Sequence, residues 1–262
     1  MQSAKPTNTS WESVGDWYGE SVGDQGHFFH QELIFPWLKK NWLISAESKV
    51  LDLGCGQGVL GRTVCEQSEY VGVDVSAALI RQANQLNKLS KHHFLCQDVT
   101  QPLVSQKDNW LQKNSFSHAA MILCAQNMEN LSGAIKNAAE YLTVGGKLVM
   151  VLNHPCFRIP RQSSWAIDAG SKLQYRRINR YLSPLAIPIT AHPGSGSRSP
   201  MTWSFHQPIS YYAQALSASG FVISSMDELV SPKISQGKAA KMENRSRNEF
   251  PLFLVILAEK RE

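Results

Sequence analysis

From Lys49 onward, short apolar runs alternate with stretches whose apolar positions recur at helical spacing. Strands covered by helices on both faces read as continuous apolar runs, so this texture predicts a parallel sheet. Strands are predicted at 49–53, 70–74, 92–96, 116–123 and 147–152, with helices at 57–67, 76–89 and 130–142. Val144-Gly145-Gly146 supplies a helix stop and a tight turn before the fifth strand. The alternation then halts. Residues 153–207 hold six prolines, many arginines and no clean period, which predicts an inserted cap or lid of short irregular structure. A helix at 209–219 closed by Gly220, a strand at 221–226, a basic polar loop at about 231–249 and a strand at 251–258 follow. With no helix between them, the last two strands should pair antiparallel. Ahead of this frame, residues 1–10 are polar with no order expected, and residues 11–45 crowd Trp11, Trp17-Tyr18, Phe28-Phe29, Trp37 and Trp42. There, His30–Leu43 reads as an amphipathic helix interrupted near Pro36. The predicted fold is α/β: a seven-stranded, mostly parallel, doubly wound sheet with an antiparallel last strand. Its core spans 46–152 and 208–262, under an aromatic cover segment at 1–45 and the inserted lid at 153–207.

Composition narrows the class. Apolar residues make up 43% of 262 residues, enough for a sizeable core and too many for general disorder. The net charge of +5 is mild, but six basic residues fall between Arg158 and Arg180 against one acid, Asp168. Such crowding suits a local anionic ligand better than duplex nucleic acid, which wants a long basic stripe. Five cysteines form no CxxC pair and are odd in number, which fits a reducing cytosol and neither a zinc site nor a disulfide framework. With no leader pattern and no run of eighteen apolar residues, the expectation is a soluble cytoplasmic protein. No metal, membrane or nucleic-acid partner is expected.

The chemistry concentrates at strand ends. Val50-Leu51-Asp52-Leu53-Gly54-Cys55-Gly56-Gln57-Gly58 runs an apolar strand into three alternate glycines and then a helix. Glycine suits a turn of positive φ where a Cβ would block a ligand from the backbone, and the helix aims free N–H groups at the same place. Gly56-x-Gly58-x-x-Gly61 also matches the dinucleotide fingerprint, but there the first glycine should follow the strand directly. That glycine is Gly54, and a match counted from it meets Val59. Asp52, an acid in an apolar strand, suits a ligand with an ammonium group; the plainer alternative is that it caps the turn. Asp74 ends the second strand, 22 residues after Asp52, where an acid can accept both ribose hydroxyls. It could instead cap the next helix, though Ser76 is placed to do so. Asp98, just past the third strand, could take an adenine amine with Val75 and Val99 walling the ring, or could serve only its own loop. One acid per consecutive strand end is the pattern that argues for a nucleoside.

These segments, with the turn and strand at 144–152, resemble in order and spacing the motifs of class I S-adenosylmethionine-dependent methyltransferases, a Rossmann-like family. The resemblance covers about residues 48–152 and resumes at 209–260. It implies S-adenosyl-L-methionine as cofactor, with Asp52 and Gly54 serving its methionyl amine and Cys55, Gly56 and Gly58 among the residues that bind it. Asp74 would then meet the ribose and Asp98 the adenine, whose ring Val75 and Val99 would wall. Leu123, Cys124, Ala125 and Gln126, ending the fourth strand, would face the methionine part. Asn153-His154-Pro155-Cys156-Phe157 resembles an HPCF-type bacterial subgroup. Strand four opens Phe116-Ser117 where the family usually has Phe-Asp. The Asn/Asp-Pro-Pro-aromatic run of enzymes that methylate nucleic-acid amines is missing at 123–126.

Methyl transfer asks little beyond alignment and exclusion of water, because a sulfonium is already activated. An oxygen acceptor would also want a base. His154, just past strand five, is the first candidate, with Asn153 orienting the acceptor; a structural histidine bonded to backbone ahead of Pro155 is the alternative. His27 and His30 are further candidates. Tyr18, Arg158 and Arg161 are the candidate acceptor contacts, and Arg176, Arg177 and Arg180 extend the cluster among Trp165, Tyr175 and Tyr181. These arginines could equally brace an irregular lid. The preferred function is methyl transfer to a small acceptor, anionic or aromatic. An NAD-dependent dehydrogenase and a non-catalytic module sensing S-adenosylmethionine or S-adenosylhomocysteine are the alternatives.

Overall fold

The computed structural model describes residues 11–12, 15, 19, 22–105, 109–190 and 201–262. The readings of residues 1–10 and of Trp17-Tyr18 lie outside the described residues. Seven strands form the main sheet: β1 (Lys49–Leu53), β2 (Glu69–Asp74), β3 (His92–Cys96), β4 (Phe116–Ile122), β5 (Leu142–Asn153), β10 (Phe221–Leu229) and β11 (Phe253–Lys260). Their order is β10-β11-β5-β4-β1-β2-β3, with β11 antiparallel to both of its neighbours. The helices are α1 (Phe35–Asn41, preceded by a π-turn at His30–Ile34), α2 (Val59–Thr63), α3 (Ala77–Leu86), α4 (Leu131–Tyr141), α5 (Ile209–Ala218) and α6 (Ala240–Glu249). The predicted doubly wound, mostly parallel sheet is the one observed.

Two cores cover its faces. Leu51 and Leu53 of β1 pack with Val71, Val73, Met121, Ile135 of α4 and Leu216 of α5. On the other face Val50, Tyr70 and Phe94 pack with Ile34, Phe35, Leu38 and Trp42. The N-terminal aromatic segment is therefore a packed layer of the core: Ile34, Leu38 and Trp42 are wholly buried. The switch at Ser117 has a local reason. Its hydroxyl accepts the Lys49 N–H at 3.0 Å and donates to the Lys49 carbonyl at 3.3 Å, tying β4 to β1.

Two expectations need correction. Residues 153–207 are not irregular: they form one hairpin from β6 (Ser163–Asp168) and β7 (Leu173–Ile178), and another from β8 (Leu185–Thr190) and β9 (Met201–His206). The residues of β6 and β7 are half-buried or exposed on both faces, so no alternation marked them. Cross-strand pairing holds them instead, as where Arg176 stacks on the Trp165 ring at 4.9 Å. The second correction is α6, which occupies most of the predicted loop. It buries only Ser246, whose hydroxyl hydrogen-bonds the Gln174 carbonyl of β7 at 3.0 Å. Phe250 then packs edge-on against Phe157 and Trp165, joining the insertion to the sheet. The turn at Gly145-Gly146 lies within β5, where the pairing jumps from Phe116↔Leu142 to His118↔Lys147.

Candidate active site

A cavity of about 750 Å³ opens above the C-terminal ends of β1–β5, within the ~300–1,000 Å³ typical of ligand sites. Its floor is Asp52, Gly54, Cys55, Gly56, Asp74, Val75, Asp98, Val99, Leu123 and Asn153, all anticipated from sequence. Its roof comes from both flanking segments: His27, Phe29 and His30 on one side, Arg158, Pro160, Ile189 and Ser204 on the other.

Asp52 points off β1 onto the Val50 face and is 2% exposed. The Tyr70 hydroxyl donates to its Oδ2, while Oδ1 has no hydrogen-bond partner. Burial, with Asp74 nearby, raises the carboxyl to about 7 against the hydrogen bond from Tyr70. An orphaned buried acid in a cavity wants a cation. Gln126 adds a second lone acceptor: its Nε2 donates to the Leu123 carbonyl at 2.6 Å and leaves Oε1 unpartnered. Two acceptors with nothing to accept fit an ammonium, as the methionyl part of the implied cofactor would bring.

Asp74 sits at the end of β2 and holds the turn. Its Oδ2 accepts the Gly56 N–H and its Oδ1 the Ser76 N–H, each at 2.9 Å. Burial raises its pKa against those bonds. Each oxygen keeps a second lone pair for a ribose hydroxyl. Ser76 caps α3 by accepting the Leu79 N–H at 3.2 Å, so Asp74 is not needed as the helix cap. Asp98 accepts the Thr100 N–H and hydroxyl through Oδ1 alone. It stays exposed at the cavity rim beside Val99.

Gly54, Gly56 and Gly58 all take the positive φ expected of the turn, but ligand approach is not what forbids a Cβ at the first and third. Gly54 has φ +84°, and a Cβ there would come within 2.8 Å of Cys124 Cβ and Sγ. At Gly58, φ +73°, it would strike the Phe94 ring at 2.5 Å. The obstacle at both is the protein's own packing. Gly58 is also not among the residues bordering the cavity. Leu123 is a non-glycine residue with φ +54°, held there by its N–H donating to the Val151 carbonyl at 2.8 Å. Such strain at a cavity wall was not visible in the sequence.

His154 does not reach the cavity. It is wholly buried; its Nδ1 accepts the Cys156 N–H at 3.2 Å, so the Nε2 proton goes to Glu228 Oε1 at 2.7 Å. Burial lowers its pKa against the pull of Glu228. It pins the 153–157 turn to β10, and only its neighbour Asn153 faces the cavity. Of the arginines, Arg158 borders the cavity and has no ion-pair partner among the described residues. Arg161 is exposed outside it. Arg176 donates to the Phe157 carbonyl and Ser163, bracing the insertion. Tyr18 lies outside the described residues. Phe253 was missed because it lies on a strand that reads as ordinary core, and Ile189 and Ser204 because their strands were read as irregular insertion. Among the described residues no His/Cys/Asp/Glu group is placed to hold a metal, and no helix is long and apolar enough to cross a membrane.

Residues 51–148 match the family model of a methyltransferase domain. Over 114 residues the chain is 32% identical to a demethylmenaquinone methyltransferase of Tropheryma whipplei, covering 43% of this chain and 45% of that protein. Over 118 residues it is 33% identical to ribosomal RNA small subunit methyltransferase C of Photobacterium profundum, covering 43% of this chain and 34% of that protein. The chain thus spans less than half the length of these curated relatives. An S-adenosylmethionine-dependent methyltransferase from Mesorhizobium loti shares the fold at TM-score 0.66 and 23% identity, over 86% of this chain and 98% of that one. The stretch that holds the three strand-end acids thus matches the model of a methyltransferase domain, and the sheet takes the fold of a known S-adenosylmethionine-dependent methyltransferase.

Proposed function

We propose that this chain transfers the methyl group of S-adenosylmethionine to a small acceptor held beneath its N-terminal and inserted segments. The observation that carries the reading is the orphaned Oδ1 of Asp52, a buried acceptor that wants a cation, on a residue that borders the cavity. In this reading Asp52 and Gln126 hold the ammonium, Asp74 the ribose and Asp98 the adenine. The cofactor supplies an activated methyl; the protein's task is to align the acceptor and exclude water. With ribose at the end of β2 and adenine beside β3, the methyl faces the β4–β5 side, where Leu123, Asn153 and Arg158 border the cavity. The unpaired Arg158 favours an acceptor with some negative charge, and Phe29 and Phe253 favour a flat ring. A small molecule rather than a nucleic acid fits a site roofed from two sides and a chain without a basic stripe. Free cysteines, two of them buried, suit a reducing cytosol. The HPCF-type subgroup is part of this proposal, with Asn153 as its acceptor-facing residue and His154 as its anchor.

Calorimetry tests the cofactor: S-adenosylhomocysteine should bind at micromolar levels and NAD should not. The opposite result would return the dehydrogenase reading. Labelled cofactor with a metabolite extract tests turnover; binding without any transfer would leave a sensing module.

A further inference from the structure

Beyond the cofactor half of the cavity, one polar atom has no role in the reading above. His30 is 3% exposed and borders the cavity, yet its Nδ1 has no hydrogen-bond partner. A buried unpaired ring nitrogen is costly unless a ligand meets it. Its placement is built rather than incidental. The ring is sandwiched between His27, at 4.0 Å and 21°, and Phe35, at 5.1 Å and 13°. His27 is itself fixed, because its Nδ1 accepts the Phe29 N–H at 3.2 Å and the His30 N–H at 3.4 Å. Phe29 packs edge-on against Phe253, and Phe253 pairs with Asn153 at the end of β5. The chain of contacts therefore runs from His30 to the β5 side of the cavity, where the methyl group is expected.

Resting on the methyl-transfer reading, we propose that His30 is the specificity-determining contact for an aromatic acceptor, its Nδ1 accepting a hydrogen bond from a ring hydroxyl. The surroundings explain why the ligand should be flat and mostly apolar: Phe29, Phe35, Phe253 and Ile189 bring ring and hydrocarbon surface to the same cavity. Burial holds His30 neutral, down to about 3 with His27 alongside, so the ring meets the hydroxyl as an acceptor of a hydrogen bond and not as a cation. His27 acts through His30 and is a positioning residue. A pocket that reads one hydroxyl by a buried partner rejects the analogue lacking it far more strongly than it rejects a change in hydrocarbon size.

The test compares two probes that differ by that hydroxyl, 2-naphthol and naphthalene, on protein saturated with S-adenosylhomocysteine. Binding is read by changes in ligand NMR signals, with no need for turnover. The unaltered protein should prefer 2-naphthol by tenfold or more. In His30→Phe, which keeps a ring between His27 and Phe35, the preference should fall below twofold while S-adenosylhomocysteine affinity stays unchanged. His30→Gln, which restores an acceptor, should recover part of it. If the unaltered protein shows no such preference, including the case where neither probe binds, or if the preference survives in His30→Phe, the proposal is overturned. Failure of the unaltered protein to bind S-adenosylhomocysteine would instead overturn the methyl-transfer reading on which it rests.

Discussion

A carboxyl raised to about 7 inside a folded protein acts on stability and on binding in opposite directions. The folded chain keeps the Asp52 proton up to about pH 7, whereas the unfolded chain releases it near the ordinary 3.8. Folding therefore takes up a proton between those values, and the ligand-free protein loses stability as pH rises from about 4 to 7, with no further loss above. Asp52→Asn removes that cost while keeping an oxygen for Tyr70. It should raise the melting temperature of the ligand-free protein at pH 8, by a stabilisation on the order of 4 kcal/mol. The same change should weaken S-adenosylhomocysteine binding at least tenfold, and in the unaltered protein affinity should climb as pH rises through 7. Calorimetry and thermal melts across pH 5–9 check both limbs; a variant that melts lower would show that Asp52 is a structural cap. Asp74 differs in kind, since it also holds the N–H groups of Gly56 and Ser76. Asp74→Ala should cost two ribose bonds of about 1.5–3 kcal/mol each, weakening S-adenosylhomocysteine roughly 100-fold or more. It should also lower the melting temperature, because two N–H groups of the turn lose their partner. An unchanged dissociation constant would place the ribose elsewhere.

At the level of elements, the insertion is held by few contacts with large consequences. Phe250 follows α6 and touches both Phe157 and Trp165, while Ser246 reaches β7. Phe250→Ala should therefore speed proteolytic cutting between β5 and β9 without altering affinity for S-adenosylhomocysteine, whose predicted contacts lie on β1–β4. In the unaltered protein S-adenosylhomocysteine should slow that cutting, because Arg158, Pro160 and Ile189 border the same cavity. Equal rates with and without ligand would make the insertion a fixed cap. Legibility in the sequence followed burial. β1 and β3 were placed to the residue because both faces of those strands are covered and their apolar runs have sharp ends. The strand-end acids were legible for the same reason, since a carboxylate stands out in an apolar run. β6, β7 and α6 were not, for the residues of the two strands are half-wet on every face and α6 buries only Ser246. His154 misled because its place after β5 is right for chemistry, while its partner Glu228 lies on a strand 74 residues away.

For the molecule as a whole, the described residues ahead of β1 do more than roof a cavity. Trp42, Leu38 and Ile34 are fully buried against Val50 and Tyr70. Gln57 and Arg62, flanking the glycine turn, donate to the carbonyls of Gly23 and Asp24. Glu12 accepts the Ser76 hydroxyl at 2.6 Å and the Ala78 N–H at 3.1 Å, at the start of α3. Trp42→Ala should cost about 3–5 kcal/mol, read as a lowered urea midpoint. A chain beginning at residue 46 should fail to give a cooperative unfolding transition; a truncated protein that melts sharply would reduce the segment to a detachable cover.

The position of β11 bears on how the chain is made. It lies between β5 and β10, antiparallel to both, and among the described residues β10 has no other strand beside it in the sheet. On the ribosome, residues 253–260 emerge after both of those neighbours. Until they arrive, β5 presents a bare edge and β10 has nothing to pair with. Synthesis thus leaves a one-strand slot open in the middle of the sheet, and the slot ends beside Asn153, opposite Phe253. A message truncated within the codons for β11 would yield a chain with an exposed seam, marked for chaperones and proteases, and with one wall missing from its cavity.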